Sequence, residues 1–216
     1  MLQYETPKSK MITIVDYGVG NLASIKNMLK RIGVNAIVSS EESEILSAEK
    51  LILPGVGAFD TCAQRLQESG LVAVLNEKVI NKKVPILGIC VGMQLLTFGS
   101  EEGKLPGLGW INGNIIKFRQ DMLANDFKIP HMGWADVQLS KPSSLFNEMT
   151  DTEPRFYFVH SYHPVVNQQE DIMAYAEYGY PFIAGIERDN ILGVQFHPEK
   201  SHKFGMKLLE NFVKNY

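Results

Sequence analysis

Cysteine is scarce in this sequence: only Cys62 and Cys90 occur in 216 residues. Two are too few for the disulfide framework of a small secreted protein, and they lack the CxxC spacing of a zinc site, so each thiol is judged singly. Long apolar runs are missing as well. No stretch reaches the roughly 18 apolar residues of a membrane span, and the opening MLQYETPKSK has no apolar core of the kind a signal peptide needs. The expectation is a cytoplasmic protein with no membrane partner. Charge of one sign does not accumulate either: 21 basic residues stand against 24 acidic ones, for a net charge of −3. A nucleic-acid binder needs a basic stripe, so nucleic acid is not an expected partner. Internal repeats, low-complexity tracts and interdomain linkers are absent.

What is present is an ordinary globular composition, 45% hydrophobic and 21% charged, at a length that one α/β domain can reach. Met11–Asp16 reads as a strand, followed by a loop and a helical pattern at Leu22, Ile25, Met28, Leu29 and Ile32 that Gly33 closes. The unit recurs. Ala36–Val38 is a weak strand; Lys50–Leu53 leads into a helical stretch reaching about Asn81, broken near Gly70; Pro85–Ile89 leads into a helix from Val91 to about Phe98. Near-continuous apolar strands alternating with helices predict a parallel sheet covered on both faces. Beyond Gly99 the segments shorten to strand length, at Asn114–Phe118, Phe156–Val159, Met173–Tyr178, Ile183–Glu187 and Ile191–Phe196, the last two forming a hairpin through Arg188-Asp189-Asn190. A helix over about Phe204–Lys214 closes the chain.

Three segments fall at strand ends, where open α/β sheets gather their functional groups. Gly88-Ile89-Cys90-Val91-Gly92 has the spacing of a nucleophile elbow, with small residues where a tight strand-to-helix bend leaves no room for Cβ atoms. A thiol at a helix N-terminus is favoured as thiolate, but cysteine is also among the most buried residue types, so catalytic and structural readings of the elbow alone stand about level. His197-Pro198-Glu199 supplies a base and a carboxylate able to fix its tautomer. Pro54-Gly55-Val56-Gly57 is either an ordinary βα turn or a pair of inward N–H groups which, with that of Val91, would hold an oxyanion. Gly18-Val19-Gly20-Asn21-Leu22-Ala23, with Glu41 and Glu42 downstream, matches a dinucleotide fingerprint weakly and leaves the other segments unexplained. His131, His160, His163 and His202 lack metal-ligand spacing, and no metal or cofactor is expected.

Taken together, Gly88–Gln94, Pro54–Gly57 and Gly193–Ser201 resemble, in order and spacing, the signature segments of the class I (triad) glutamine amidotransferases. Asp16–Leu22 (DYGVGNL), His131–Trp134 (HMGW) and Tyr157–Tyr162 (YFVHSY) look like the glutaminase subunits of imidazole glycerol phosphate synthase within that family. The resemblance runs from Met11 onward, leaving residues 1–10 as an N-terminal extension to a single amidotransferase domain over 11–216. It implies a flavodoxin-like, doubly wound, mostly parallel sheet. It implies a Cys90–His197–Glu199 triad, an oxyanion hole at Gly55, Val56, Gly57 and Val91, and a substrate glutamine held by Gln94, Glu102, Ser161 and Tyr162. It also implies a heterodimer with a (βα)8-barrel cyclase subunit, faced by Asn21, Tyr157 and Lys200, to which the released ammonia passes. The enzymatic alternative is a paralogous glutaminase supplying ammonia for amidation of a surface-polysaccharide sugar. A binding module that has lost catalysis is the remaining alternative, disfavoured because packing alone gives no reason to keep all three triad residues.

Overall fold

A computed structural model describes residues 12–123, 127–149 and 153–216. The first half alternates strand and helix: β1 (Ile12–Val15), α1 (Leu22–Arg31), β2 (Ala36–Ser39), α2 (Glu42–Ser47), β3 (Lys50–Gly55), α3 (Phe59–Glu68), α4 (Val72–Asn76), β4 (Ile86–Cys90) and α5 (Val91–Gln94). A wide turn over 77–81 prolongs α4. The second half is mostly strand, with β5 (Gly113–Lys117), β6 (His131–Leu139), β7 (Arg155–His160), β8 (Tyr162–Val166), β9 (Ile172–Tyr178), β10 (Tyr180–Arg188) and β11 (Ile191–Val194), before the closing helix α6 (His202–Asn215). Residues 1–10, read as an extension, lie outside the described residues, as does Met11.

Nine strands form one sheet in the order β2-β1-β3-β4-β11-β10-β9-β6-β7. The first five run parallel, in the strand order of a doubly wound flavodoxin-like sheet, and the last four continue it antiparallel. β5 and β8 pair separately. Every residue of β1, β3, β4 and β11 is buried, because right-handed crossovers lay helices on both faces. The chain steps one way from β1 to β2 and the other way from β2 to β3 and β4. That reversal puts α1 on one face, against α6, and α2 and α4 on the other, against each other. α1 follows its apolar spacing, burying Ile25, Met28 and Leu29, and ends where Gly33 takes φ +79°.

The expected hairpin is present, with Arg188 opposite Ile191 across Asp189-Asn190. Four elements differ from the sequence reading. The helix expected from Val91 to about Phe98 stops at Gln94, because the carbonyls of Leu95, Leu96 and Thr97 accept from Leu108, Trp110 and Gly109 instead of continuing a helical ladder. Gly107 permits that approach; a Cβ there would lie 2.2 Å from the Thr97 carbonyl oxygen. β6 was not anticipated, since HMGWADVQL has no clean alternation. Its first half pairs with β7 and its second with β9, so its surroundings change midway along the strand. β8 and the short α2 also escaped the sequence reading.

Candidate active site

β4 lies between β3 and β11, so the C-terminal ends of these three strands open together at one edge of the sheet. Cys90 ends β4 with φ +54° and ψ −114°, a left-handed conformation that costs a residue other than glycine about 1–3 kcal/mol. α5 begins at the next residue. A Cβ on Gly88 would meet Met93 Cα at 2.7 Å, across the bend as the sequence reading expects. Gly92 is glycine for a different reason. A Cβ there would lie 1.9 Å from the carbonyl oxygen of Leu53, so the start of α5 is seated directly on the end of β3.

Pro54 and Gly55 close β3, with Gly55 level with Cys90 in the register. Gly55 is tightly enclosed, since its Cβ would come 2.5 Å from Gly92 N. The Tyr17 hydroxyl donates to Pro54 O at 2.6 Å, and the buried Cys62 thiol donates to Val56 O at 3.3 Å. These two contacts fix the carbonyls on either side of the Gly55–Val56 peptide; neither Tyr17 nor Cys62 is a site candidate in the sequence reading. Burial pushes the Cys62 thiol up to about 11, which leaves it protonated at neutral pH. The Gly18–Gly20 loop of the weak dinucleotide fingerprint packs on this strand end, with a Cβ on Gly20 falling 3.1 Å from the Pro54 ring.

His197 follows β11 and is held by its backbone: His197 N donates to Tyr157 O at 2.9 Å, and Ser201 Oγ donates to His197 O at 2.6 Å. α6 closes on the same turn, where a Cβ on Gly205 would lie 1.8 Å from Pro198 O. His197 Nδ1 donates to Glu199 Oε1 at 2.8 Å, with both side chains almost wholly buried. A carboxylate oxygen in that position fixes the tautomer and turns Nε2 toward the Cys90 thiol. Burial alone would lower the basicity of His197. Its hydrogen bonds to Cys90 and Glu199, and the charges of those partners, outweigh burial and raise it to about 10.

Cys90 and His197 border a cavity of about 390 Å³, with Glu199 set behind His197. Val56, Gly57 and Val91 line it, while Gly55 stands one step behind in β3. Gln94, Glu102, Ser161 and Tyr162 line it too. Glu102 is anchored in place: its Oε2 accepts from Phe59 N at 2.8 Å, serving the start of α3 where Ala58 has no side chain able to cap. Asp60 accepts from Lys104 N and Leu105 N, stapling the Glu102 turn to the same helix. Lys200 borders the cavity and places its Nζ 5.7 Å from the Tyr157 ring centre. Asn21 precedes α1, the helix that packs on the 198–200 turn. Among the described residues, no three His, Cys, Asp or Glu side chains converge to hold a metal ion, and no helix is long and apolar enough to cross a membrane.

Gln195, which the sequence reading includes in the His197 segment but gives no role, is fully buried beside Cys90. It donates from Nε2 to Cys90 Sγ at 3.8 Å and accepts at Oε1 from Gln94 Nε2 at 3.1 Å. A polar residue inside the apolar run Ile191–Phe196 was the available signal.

Comparison with known proteins agrees with this geometry. Residues 13–216 match the family described as glutamine amidotransferase class-I. The chain is 53% identical over 204 residues to "Imidazole glycerol phosphate synthase subunit HisH 2" of Methanococcus maripaludis, a match spanning 94% of this chain and 99% of that one. The protein of the same name in Pseudomonas aeruginosa is 53% identical over 207 residues, with the same coverage. "Imidazole glycerol phosphate synthase subunit HisH" of Leptospira borgpetersenii is 46% identical over 203 residues, covering 94% and 99%. Among solved structures, "PurLQS from Thermotoga maritima" shares the fold at a TM-score of 0.70 and 16% identity, over 95% of this chain and 98% of that one.

Proposed function

This chain belongs to the class-I glutamine amidotransferases and, within them, to the HisH subunits of imidazole glycerol phosphate synthase, and from that premise we propose that it hydrolyses glutamine at Cys90 and hands the ammonia to a cyclase subunit in histidine biosynthesis. The carrying observation is that a strained Cys90 and the His197 of a buried His197–Glu199 pair line one cavity.

In this reading, with its proton already held on His197, the Cys90 sulfur bonds to the side-chain amide carbon of glutamine. The amide oxygen becomes an oxyanion that accepts from N–H groups of the Val56–Gly57 turn, backed by Gly55, and from Val91. His197, kept charged by its neighbours, returns the proton to the amide nitrogen; the C–N bond breaks, ammonia leaves and a glutamyl thioester remains. Water then attacks the thioester, losing a proton to His197, and glutamate departs as the C–S bond breaks and the thiol is restored. Gln94, Glu102, Ser161 and Tyr162 hold the substrate from the cavity wall.

The partner in this reading is a (βα)8-barrel cyclase, with which the chain forms a heterodimer in the cytoplasm. The surface beside the cavity supports that assembly. Met132 and Trp134 project from one face of β6 with 62% and 40% of their area exposed, and Trp134 stands opposite Tyr157 in the register. Apolar side chains this open, rimmed by Lys200 and the Asp136–Arg155 ion pair, suit a docking face that includes Tyr157, Lys200 and Asn21. The Gly55–Val56 peptide, flanked by the carbonyls that Tyr17 and Cys62 hold, is the segment docking would adjust to switch the glutaminase on.

The "2" in the names of both 53%-identical relatives keeps a second reading in view, in which a paralogous glutaminase feeds a cyclase-like partner that amidates a surface-polysaccharide sugar. Expression in a strain that lacks its own histidine-pathway glutaminase separates the two. Growth without histidine is the expected result. Failure to grow despite soluble expression with the cognate cyclase would favour sugar amidation.

A further inference from the structure

We propose that Gln195 is a positioning residue that aims one amide N–H at the Cys90 sulfur and, through Gln94, ties the nucleophile to the wall of the substrate cavity. The proposal rests on the glutaminase reading above and adds a residue to it.

Gln195 has no exposed surface and sits between Val194 and Phe196, both fully buried. An amide in such a place is destabilising unless its polar atoms find partners. Its backbone N–H goes to Ala184 O, which leaves the side chain free to serve the site. The polarity of that side chain follows from its neighbours. Gln94 Nε2 lies 3.3 Å from Tyr162 O, and a carbonyl only accepts, so Gln94 must turn its nitrogen that way. The same nitrogen donates to Gln195 at 3.1 Å, which requires the oxygen of Gln195 to face it and sends Gln195 Nε2 toward Cys90 Sγ at 3.8 Å. Tyr162 O also accepts from His160 Nδ1 at 2.8 Å, and burial keeps the His160 ring neutral, so the hub carbonyl is held from two sides.

The result is one directed chain through three segments far apart in sequence: the 157–162 strand end, the Cys90 elbow and the strand leading to His197. Two consequences follow. A donor fixed beside the sulfur favours it as an acceptor, which is the state that attacks. With both its contacts made through nitrogen, Gln94 has its oxygen left to present to a ligand. A glutamine kept only for packing would have neither effect.

The test uses the chain in complex with its cyclase and ribonucleotide ligand for kinetics, and the same preparations with iodoacetamide as a probe of Cys90. Gln195→Met removes both contacts; Gln195→Glu keeps an oxygen for Gln94 but, once ionised, has no hydrogen for sulfur. Losing a hydrogen bond to a charged group predicts about a tenfold fall in kcat for both variants, with alkylation of Cys90 slowed similarly. KM should rise several-fold for Gln195→Met and stay within about twofold for Gln195→Glu. The rate of Gln195→Glu should recover as the pH is lowered and the new carboxyl regains a proton. If Gln195→Met fails to fold, Gln195→Glu decides alone. Wild-type kcat and alkylation rate in folded Gln195→Glu would overturn the proposal. Glutaminase activity surviving in Cys90→Ser would instead overturn the underlying nucleophile assignment.

Discussion

A Cβ placed on Gly92 would lie 1.9 Å from the carbonyl oxygen of Leu53, so the elbow helix and the oxyanion strand are fitted backbone to backbone. The clash is with main chain, which cannot swing aside as a flexible side chain would. Gly92→Ala is therefore expected to lose about 3 kcal/mol or more, the upper end of overpacking effects. Gly33→Ala is the control, since a Cβ at Gly33 meets nothing within 4 Å and only its φ of +79° is unfavourable, worth about 1–2 kcal/mol. Urea unfolding of both variants measures the difference. Equal losses would mean that the elbow is not seated as described.

Cys90 carries strain as well as chemistry. At φ +54°, alanine keeps the strain and glycine relieves it, so Cys90→Gly should be about 1 kcal/mol more stable than Cys90→Ala, with neither releasing glutamate. Denaturant titration compares the two. Greater stability of Cys90→Ala would contradict a strained nucleophile position.

The His197 pair gives a pH signature. Its folded basicity, about 10, lies above the ordinary 6.5, so the stability it contributes is full below about pH 6.5, declines as pH rises because only the folded state keeps the proton, and is gone above about 10. The stability advantage of wild type over His197→Gln should shrink steadily between pH 7 and 10. Thermal melting across that range checks it, and an advantage that grows with pH would show that His197 is not held charged by Cys90 and Glu199.

The two thiols should react differently. Cys62 is fully buried, raised to about 11 and donating to Val56 O. Iodoacetamide at pH 7.5 is expected to modify Cys90 alone in the folded chain and both cysteines after unfolding. Peptide mapping distinguishes the sites. Modification of Cys62 in the folded protein would mean that the Val56 carbonyl is not anchored as described.

The parallel half of the sheet was legible because its strands are buried on both faces and read as unbroken apolar runs. Cys90, His197 and Glu199 could be singled out because each follows such a run, beside glycines or proline that mark a turn. β6 was opaque for a physical reason: it leaves β7 for β9 midway, and its outward face carries Met132 and Trp134, so alternation between apolar and polar residues fails. The helix after Cys90 looked longer than it is because Leu95 and Leu96 are apolar in either conformation, while the partners of their carbonyls lie more than ten residues onward. Tyr17, Cys62 and Gln195 act through contacts with residues distant in the chain or already assigned to packing. Tyr17 and Cys62 give no signal by type alone, and Gln195 gives only that of a polar residue in an apolar run; the roles of all three show in their hydrogen bonds.

Glutamate release from glutamine by the purified chain, alone and with its cyclase and the ribonucleotide ligand, in wild type and Cys90→Ala, tests the account most directly. The account predicts release by wild type in the complete mixture, little by wild type alone and none by Cys90→Ala under either condition. Release by Cys90→Ala in the complete mixture would contradict it.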